Sequence, residues 1–282
     1  MKFDGKNQMA AFTVVELLVV IAVIGILAAI LFPVLDKAKQ RSQTADCLNN
    51  MKQLQLGYRM YVDDNNDYLP PNEGVPDVDV SWVLGDAQND VTTSNIQNGL
   101  IFQYTQKVKI YVCPANTLMV SDGNGGFAPQ TRTCSIDFVL GGYTQPSLDA
   151  GGLARGGMTF NGVTTLAKFS QIQTSSAGVA QKIVFVDEAQ NGVDDGCFAI
   201  YPASTGNDIW WNIPGCRHDG KRACTFTFAD GHVEAWRWHG SAVMADNSLS
   251  YSDIWNGNTS TDPATGPGSS DDLARVQAGT VR

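Results

Sequence analysis

The chain has 282 residues, 43% of them apolar and 17% charged, and a net charge of −9. That length holds one long helix and a globular part of one large or two small domains. The acidic balance argues against a nonspecific nucleic-acid surface. The composition is ordinary for a folded protein, and 28 Gly fit a loop-rich, largely β head.

A short polar leader, residues 1–11, precedes an apolar run from Phe12 to Phe32 that reads FTVVELLVVIAVIGILAAILF. The run holds 21 residues and one ionisable side chain, Glu16. As a helix it extends about 31 Å at ~1.5 Å per residue, close to the hydrocarbon thickness of a bilayer. A cleaved secretory signal has a shorter apolar region, about 7–15 residues, followed by small residues. Here the small residues, Ala10 and Ala11, come first. A carboxylate inside such a helix costs roughly 2–4 kcal/mol at mid-membrane and calls for a partner. No Lys or Arg lies within the run.

The leader, the Ala11-Phe12-Thr13-Val14-Val15-Glu16 junction and the apolar run together resemble the signal of type IV prepilins and type II secretion pseudopilins. The resemblance covers about the first 60 residues. It implies cleavage between Ala11 and Phe12 by a prepilin peptidase, methylation of the new amino terminus, and retention of the helix in the protein. Thr13 and Glu16 match the family's second and fifth mature residues, and Gly25 and Pro33 fall where many pilins carry helix-weakening residues. Ala11 departs from the usual Gly. The resemblance also implies that Glu16 pairs with an amino terminus, its own or a neighbouring subunit's, during filament assembly. Lys2 and Lys6 before the run are outnumbered by Lys37, Lys39 and Arg41 after it. The charge count alone therefore points the wrong way, and the cleavage signal is what places the N-terminus in the cytoplasm.

Pro33 should weaken or kink the helix. Beyond it, Cys47, Met51, Leu54, Tyr58 and Tyr61 recur at spacings of one helical stripe, with Asn49, Lys52, Gln53 and Arg59 opposite. One helix from Phe12 to about Val62 is the expectation, its second half laid on the head. Asp63, Asn65 and Asp67 have the spacing that opens a calcium loop. However, Tyr68 stands where such a loop needs Gly, and Gly74 where it needs Glu, so a helix-ending turn competes with a weak calcium site.

The head is assigned to 63–255 and a loop-rich tail to 256–282. Within the head, Ile183 to Asp187 reads as a buried strand. Thr225 to Trp236 reads as a hairpin around Asp230-Gly231, expected as a type I′ turn with Phe226 and Phe228 alternating with threonines. The six cysteines are Cys47, Cys113, Cys134, Cys197, Cys216 and Cys224. Outside the cytoplasm their even number suggests disulfides, with 15 possible full pairings. Cys47 lies on the head-facing stripe and takes Cys113, then Cys134, as its favoured partner, with a reduced buried thiol as the alternative.

No C-x-x-C occurs, and three histidines, His218, His232 and His239, are few for a metal centre, so no metal and no cofactor is expected. His218 with Asp219, or His232 with Glu234, can be written as acid–base pairs, but sequence neighbours on a strand point apart. Trp210, Trp211, Trp236 and Trp238 could stack on sugars or fill a core. Arg217-His218-Asp219-Gly220 followed by Asp230-Gly231-His232 resembles a C-terminal His–spacer–Asp-Gly motif of large pilin-like proteins common in planctomycetes. Eleven residues separate His218 from Asp230, two more than that branch usually has.

These readings describe an α+β protein in which a long N-terminal transmembrane and filament-core helix packs on an antiparallel head. Its expected function is a structural subunit of a pilus or pseudopilus, not an enzyme, inserted by one span in the inner membrane with its head in the periplasm or outside. The expected partners are copies of itself, other pilin-like subunits and the prepilin peptidase, with no nucleic acid. The alternative is a membrane-anchored adhesin or glycan binder that does not polymerise.

Overall fold

The structure, a computed structural model, describes residues 13–72, 80–141, 159–160, 163–174, 178–200, 210–240, 243 and 269–280. Ala11 and Phe12, and with them the expected cleavage point, lie outside these residues.

Helix α1 (Val14–Asp64) is 51 residues long, about 75 Å at the ideal rise. Thr13 caps its start, and no interior charge beyond Glu16 interrupts it before Asp36. The helix runs through Pro33 without interruption, as the single long helix expected from the sequence does. A proline removes one intrahelical bond, and the strong helix formers on both sides carry the ladder past the gap. The end is set by left-handed residues, Asn66 at φ 53° and Asp67 at φ 70°, while Asn65 donates its N–H to the Tyr61 carbonyl at 3.0 Å.

The head is built on a five-stranded sheet of order β7-β3-β6-β8-β9, made of β3 (Cys134–Asp137), β6 (Ile183–Asp187), β7 (Cys197–Phe198), β8 (Ala223–Phe228) and β9 (Val233–Arg237). Its pairs are antiparallel except β3 with β7, which is parallel and departs from the all-antiparallel head expected. Two small hairpins, β1 (Met119–Ser121) with β2 (Phe127–Pro129) and β4 (Thr159–Phe160) with β5 (Val163–Thr164), lie outside it. Short helices α2 (Ser94–Gln97), α3 (Phe102–Thr105) and α4 (Phe169–Gln173) and a 3-10 turn (Val108–Tyr111) fill the connections. Helix α5 (Ser269–Thr280) closes the described chain.

Both faces of the central strands β3, β6 and β8 are buried, while the edge strand β9 buries only Trp236. On one face Met51, Leu54 and Tyr58 of α1 pack with Ile136, Val184 and Phe185. On the other, Phe226, Phe228, Trp236 and Trp238 join Leu273 and Val276 of α5. The alternation in β8 is therefore not core against solvent. Its phenylalanines enter the second core, and its threonines face α1 and are themselves fully buried. Thr225 Oγ1 lies 3.3 Å from Cys47 Sγ, and the Thr227 hydroxyl donates to Gln55 Oε1 at 2.8 Å. A register shift between Ile183 and Val186 turns Val184 and Phe185 together toward α1. The Phe185 N–H, released from the ladder by that bulge, donates to Thr227 Oγ1 at 2.9 Å.

Leu54 is fully buried where α1 meets the sheet. Leu54→Ala should lower head stability by about 2–5 kcal/mol, as truncation in a packed core does. Urea denaturation followed by Trp fluorescence checks this, and an unchanged midpoint would mean that the seam does not hold the head.

Glu188 is buried between the Ser135 hydroxyl, which donates to Oε2 at 2.6 Å, and Asn212 Nδ2, which donates to Oε1 at 2.8 Å. Burial, reinforced by the charge of Asp194, pushes its carboxyl well above the usual glutamate range. The folded state then holds a proton that the unfolded chain releases, so stability falls as pH rises past the unfolded value near 4.5. Glu188→Gln should raise the melting temperature at neutral pH, and the gain should vanish in acid below that value. A gain that persists in acid would show that ionisation is not its source.

Candidate functional site

The front of α1 is a cylinder with no neighbour among the described residues. Every large apolar side chain from Val14, 74% exposed, to Leu35, 58% exposed, faces outward. Among the described residues α1 is the one helix long and apolar enough to cross a membrane. At its tip Thr13 and Glu16 form a capping box. Glu16 N–H donates to Thr13 Oγ1 at 3.3 Å, and Glu16 Oε2 accepts from the Thr13 N–H at 2.9 Å and from its hydroxyl at 2.8 Å. The carboxylate thus folds back one turn and satisfies helix-end donors that have no intrahelical acceptor. The sequence carries the signal for this as Thr13-Val14-Val15-Glu16, the Thr-x-x-Glu capping-box pattern, in which the partner of the carboxylate is a helix end and not a charge.

The rear of α1 meets the head through polar as well as apolar contacts. Lys52 Nζ donates to the Gly231 carbonyl. The Thr44 hydroxyl donates to the Gln40 carbonyl at 2.8 Å and lies 3.2 Å from His218 Nδ1. Behind Thr44 the fold gathers four buried side chains, Cys47, Cys113, Asp187 and His218, whose ligand atoms all lie within 4.8 Å of one another. Cys47 comes from α1, Cys113 follows the 3-10 turn, and Asp187 ends β6. His218 precedes β8, where two backbone bonds with Ala223, 3.2 and 3.0 Å, hold it. The loop between those two is tight, with Asp219, Gly220 and Lys221 all left-handed. The hydrogen bond between the two sulfurs pulls the Cys113 thiol down, aided by His218 and Arg217, and pushes the Cys47 thiol up, aided by burial. The sequence reading expected no metal centre. Metal sites legible in sequence have ligands close together in the chain, and these four stand on separate segments.

All six cysteines are buried free thiols. Cys47 faces the head next to Cys113, the favoured partner, but the expected bridge is absent here, and Cys134 Sγ instead donates to the Tyr111 carbonyl at 3.4 Å.

The weak calcium candidates are given other tasks. Asp63 pairs with Arg59 at 3.2 Å, Asn65 Nδ2 donates to the Tyr61 carbonyl at 2.8 Å, and Asp67 Oδ2 accepts from the Ser170 hydroxyl at 2.6 Å. The candidate acid–base pairs divide. His218 is buried, whereas Asp219 pairs with Arg237 at 3.2 Å in solvent. His232 stays with Glu234 at 3.5 Å and Asp230 at 2.6 Å, stacked on Phe228. The Asp230-Gly231 turn is not type I′. Only Gly231, at φ 94°, is left-handed, and its N–H donates to the Phe228 carbonyl at 2.8 Å across Ala229 and Asp230. Phe228 N–H in turn donates to the His232 carbonyl at 3.0 Å, which makes a three-residue hairpin loop. Trp210, Trp236 and Trp238 belong to the second core, and Trp211 is partly exposed.

Comparison with known proteins bears on the helix. The family described as the prokaryotic N-terminal methylation motif matches residues 6–32. The type IV major pilin protein PilA of Myxococcus xanthus is 34% identical over 67 residues, which is 24% of this chain and 30% of that protein. The chain thus spans less than a third of the length of the curated relative it matches. No solved structure matches. With that motif overlapping the start of one apolar helix, and an α+β head at the far end of the same helix, the chain is similar to a type IV pilin in its N-terminal part, and the helix is long and apolar enough to anchor it in a membrane.

Proposed function

We propose that the protein is a structural subunit that a prepilin peptidase cleaves between Ala11 and Phe12, and that its α1 then packs with the α1 of other copies in a pilus or pseudopilus core. The observation that carries this reading is the outward apolar face of α1 from Val14 to Leu35. That face must be covered by lipid before assembly and by other helices after it, because burying apolar surface is what makes such a cylinder stable. The methylation motif over residues 6–32 and the pilin similarity support the same reading. Burial of three of the four tryptophans considered for sugar stacking weighs against the glycan-binding alternative.

In this proposal Glu16 serves twice. Before assembly it caps its own helix through Thr13. After cleavage the amine of Phe12, its own or a neighbour's, offers the carboxylate a charged partner in an apolar setting, where such pairs are far stronger than in water.

Mass spectrometry of the native protein should find a chain that begins at Phe12, N-methylated, with α1 retained. An intact Met1 in assembled material, or a cut after Phe32, would overturn the processing step. Glu16→Leu should insert into the membrane more easily, by roughly 2–4 kcal/mol, yet incorporate poorly into filaments sheared from cells. Normal incorporation of that variant would remove Glu16 from the assembly mechanism and leave the anchor untouched.

A further inference from the structure

The four side chains gathered behind Thr44 have the composition and spacing of a metal site, and neither the anchoring role nor the assembly role of the protein uses them. We infer that Cys47, Cys113, Asp187 and His218 form a tetrahedral site for one zinc ion, which fastens α1 to the head.

The geometry comes first. Zinc takes four ligands at about 2.0–2.3 Å, so its ligand atoms stand roughly 3.3–3.8 Å apart. Cys113 Sγ and His218 Nε2 are 3.3 Å apart, His218 Nε2 and Asp187 Oδ2 are 4.0 Å apart, and no pair of ligand atoms exceeds 4.8 Å. Contractions of at most about an ångström bring the set to a zinc tetrahedron. Two sulfurs, one imidazole and one carboxylate suit this borderline-soft cation better than magnesium or calcium, which take oxygen ligands.

The orientation of the ligands is already fixed. The Thr44 hydroxyl hydrogen is committed to the Gln40 carbonyl, so toward His218 its oxygen can only accept. Nδ1 must therefore carry a proton, and in the neutral ring the free lone pair sits on Nε2, which faces Cys113 and Asp187. This is the arrangement that zinc-binding histidines share, with the outer ring nitrogen held by a hydrogen bond. On Asp187 the work is divided between the two oxygens. Oδ1 accepts from the Thr133 hydroxyl at 2.9 Å and from Arg217. Oδ2 points into the cluster, fully buried and with no hydrogen-bond partner. A buried carboxylate oxygen left without a partner is costly, and a cation at the centre of the cluster supplies one. Three anionic ligands exceed a divalent cation by one charge, and the Arg217 guanidinium paired with Asp187 offsets it. Loading releases the thiol protons to solvent and oxidises nothing.

A disulfide between Cys47 and Cys113 is the competing use of the same sulfurs. It would leave Asp187 Oδ2 and His218 Nε2 facing a neutral bridge, whereas zinc engages all four groups.

The test uses the full-length protein extracted in detergent from cells grown with added zinc. Elemental analysis should find close to one zinc per chain, and removal by a chelator should lower the melting temperature until Zn2+ is returned. Exchange for Co2+ should give the visible ligand-field bands of a tetrahedral cobalt centre and a near-ultraviolet band from sulfur ligation. Cys113→Ser should lose that ultraviolet intensity by about half, and His218→Ala should lower zinc content at least tenfold. The wild-type protein alone also decides the matter if those variants fail to fold. A Cys47–Cys113 disulfide in it, or less than a tenth of an equivalent of zinc together with no cobalt spectrum, overturns the site.

Discussion

One helix has to serve two solvents, and the rest of the molecule follows from that demand. An α-helix satisfies its own backbone groups, so it can leave a protein interior and enter a bilayer without exposing unpaired donors. The front of α1 is apolar all round, while its rear is apolar on the stripe Cys47, Met51, Leu54, Tyr58 and Tyr61 that the head covers. Between the two lies the charged stretch from Asp36 to Arg41, which belongs to neither core.

The head answers with a sheet whose central strands are buried on both faces, and much of what lies inside it is polar. Buried ion pairs such as Lys182–Asp137, at 2.9 Å, gain little net stability once desolvation is counted, but they penalise any arrangement that separates them. Lys182 also donates to the Thr280 carbonyl at the end of α5, so the same ammonium fixes where that helix docks. The Arg275 guanidinium, 3.8 Å from the centre of the Trp236 ring, secures the other side of that contact. Gly279 allows the approach, since a β-carbon there would come within 2.7 Å of Ile183.

Much of this was legible in the sequence because it is periodic. The apolar run, the stripe on the rear of α1, the Ile183–Asp187 strand and the hairpin around Asp230-Gly231 each repeat at the spacing of the element they form. Other features have no local period. The parallel pairing of β3 with β7, the bulge in β6 and the turning of the β8 threonines toward a helix are decided by partners far away in the chain. The Cys47, Cys113, Asp187 and His218 cluster is the extreme case, since no two of its members share a segment. The turn at Gly231 went wrong for a smaller reason. Asp-Gly fits either of two hairpin loops, and only the backbone bond from Gly231 to Phe228 distinguishes them.

The seat of α1 on β8 also dictates an order of events during synthesis. Cys47 and Thr225, which touch across that seam, are 178 residues apart. At about 5–20 residues per second the ribosome takes roughly 10–35 s to travel between them. Through that interval α1 is already made, and its apolar front can already be in lipid, while the rear stripe has no sheet to lie on. Strand β6 arrives before its neighbour β8, and β3 before both, so the sheet cannot close until late. The head is therefore a slow, non-local folder attached to a helix that is ready early. Tethering by the membrane keeps the exposed stripe of each nascent chain near its own head and dilutes it away from other chains until β8 emerges.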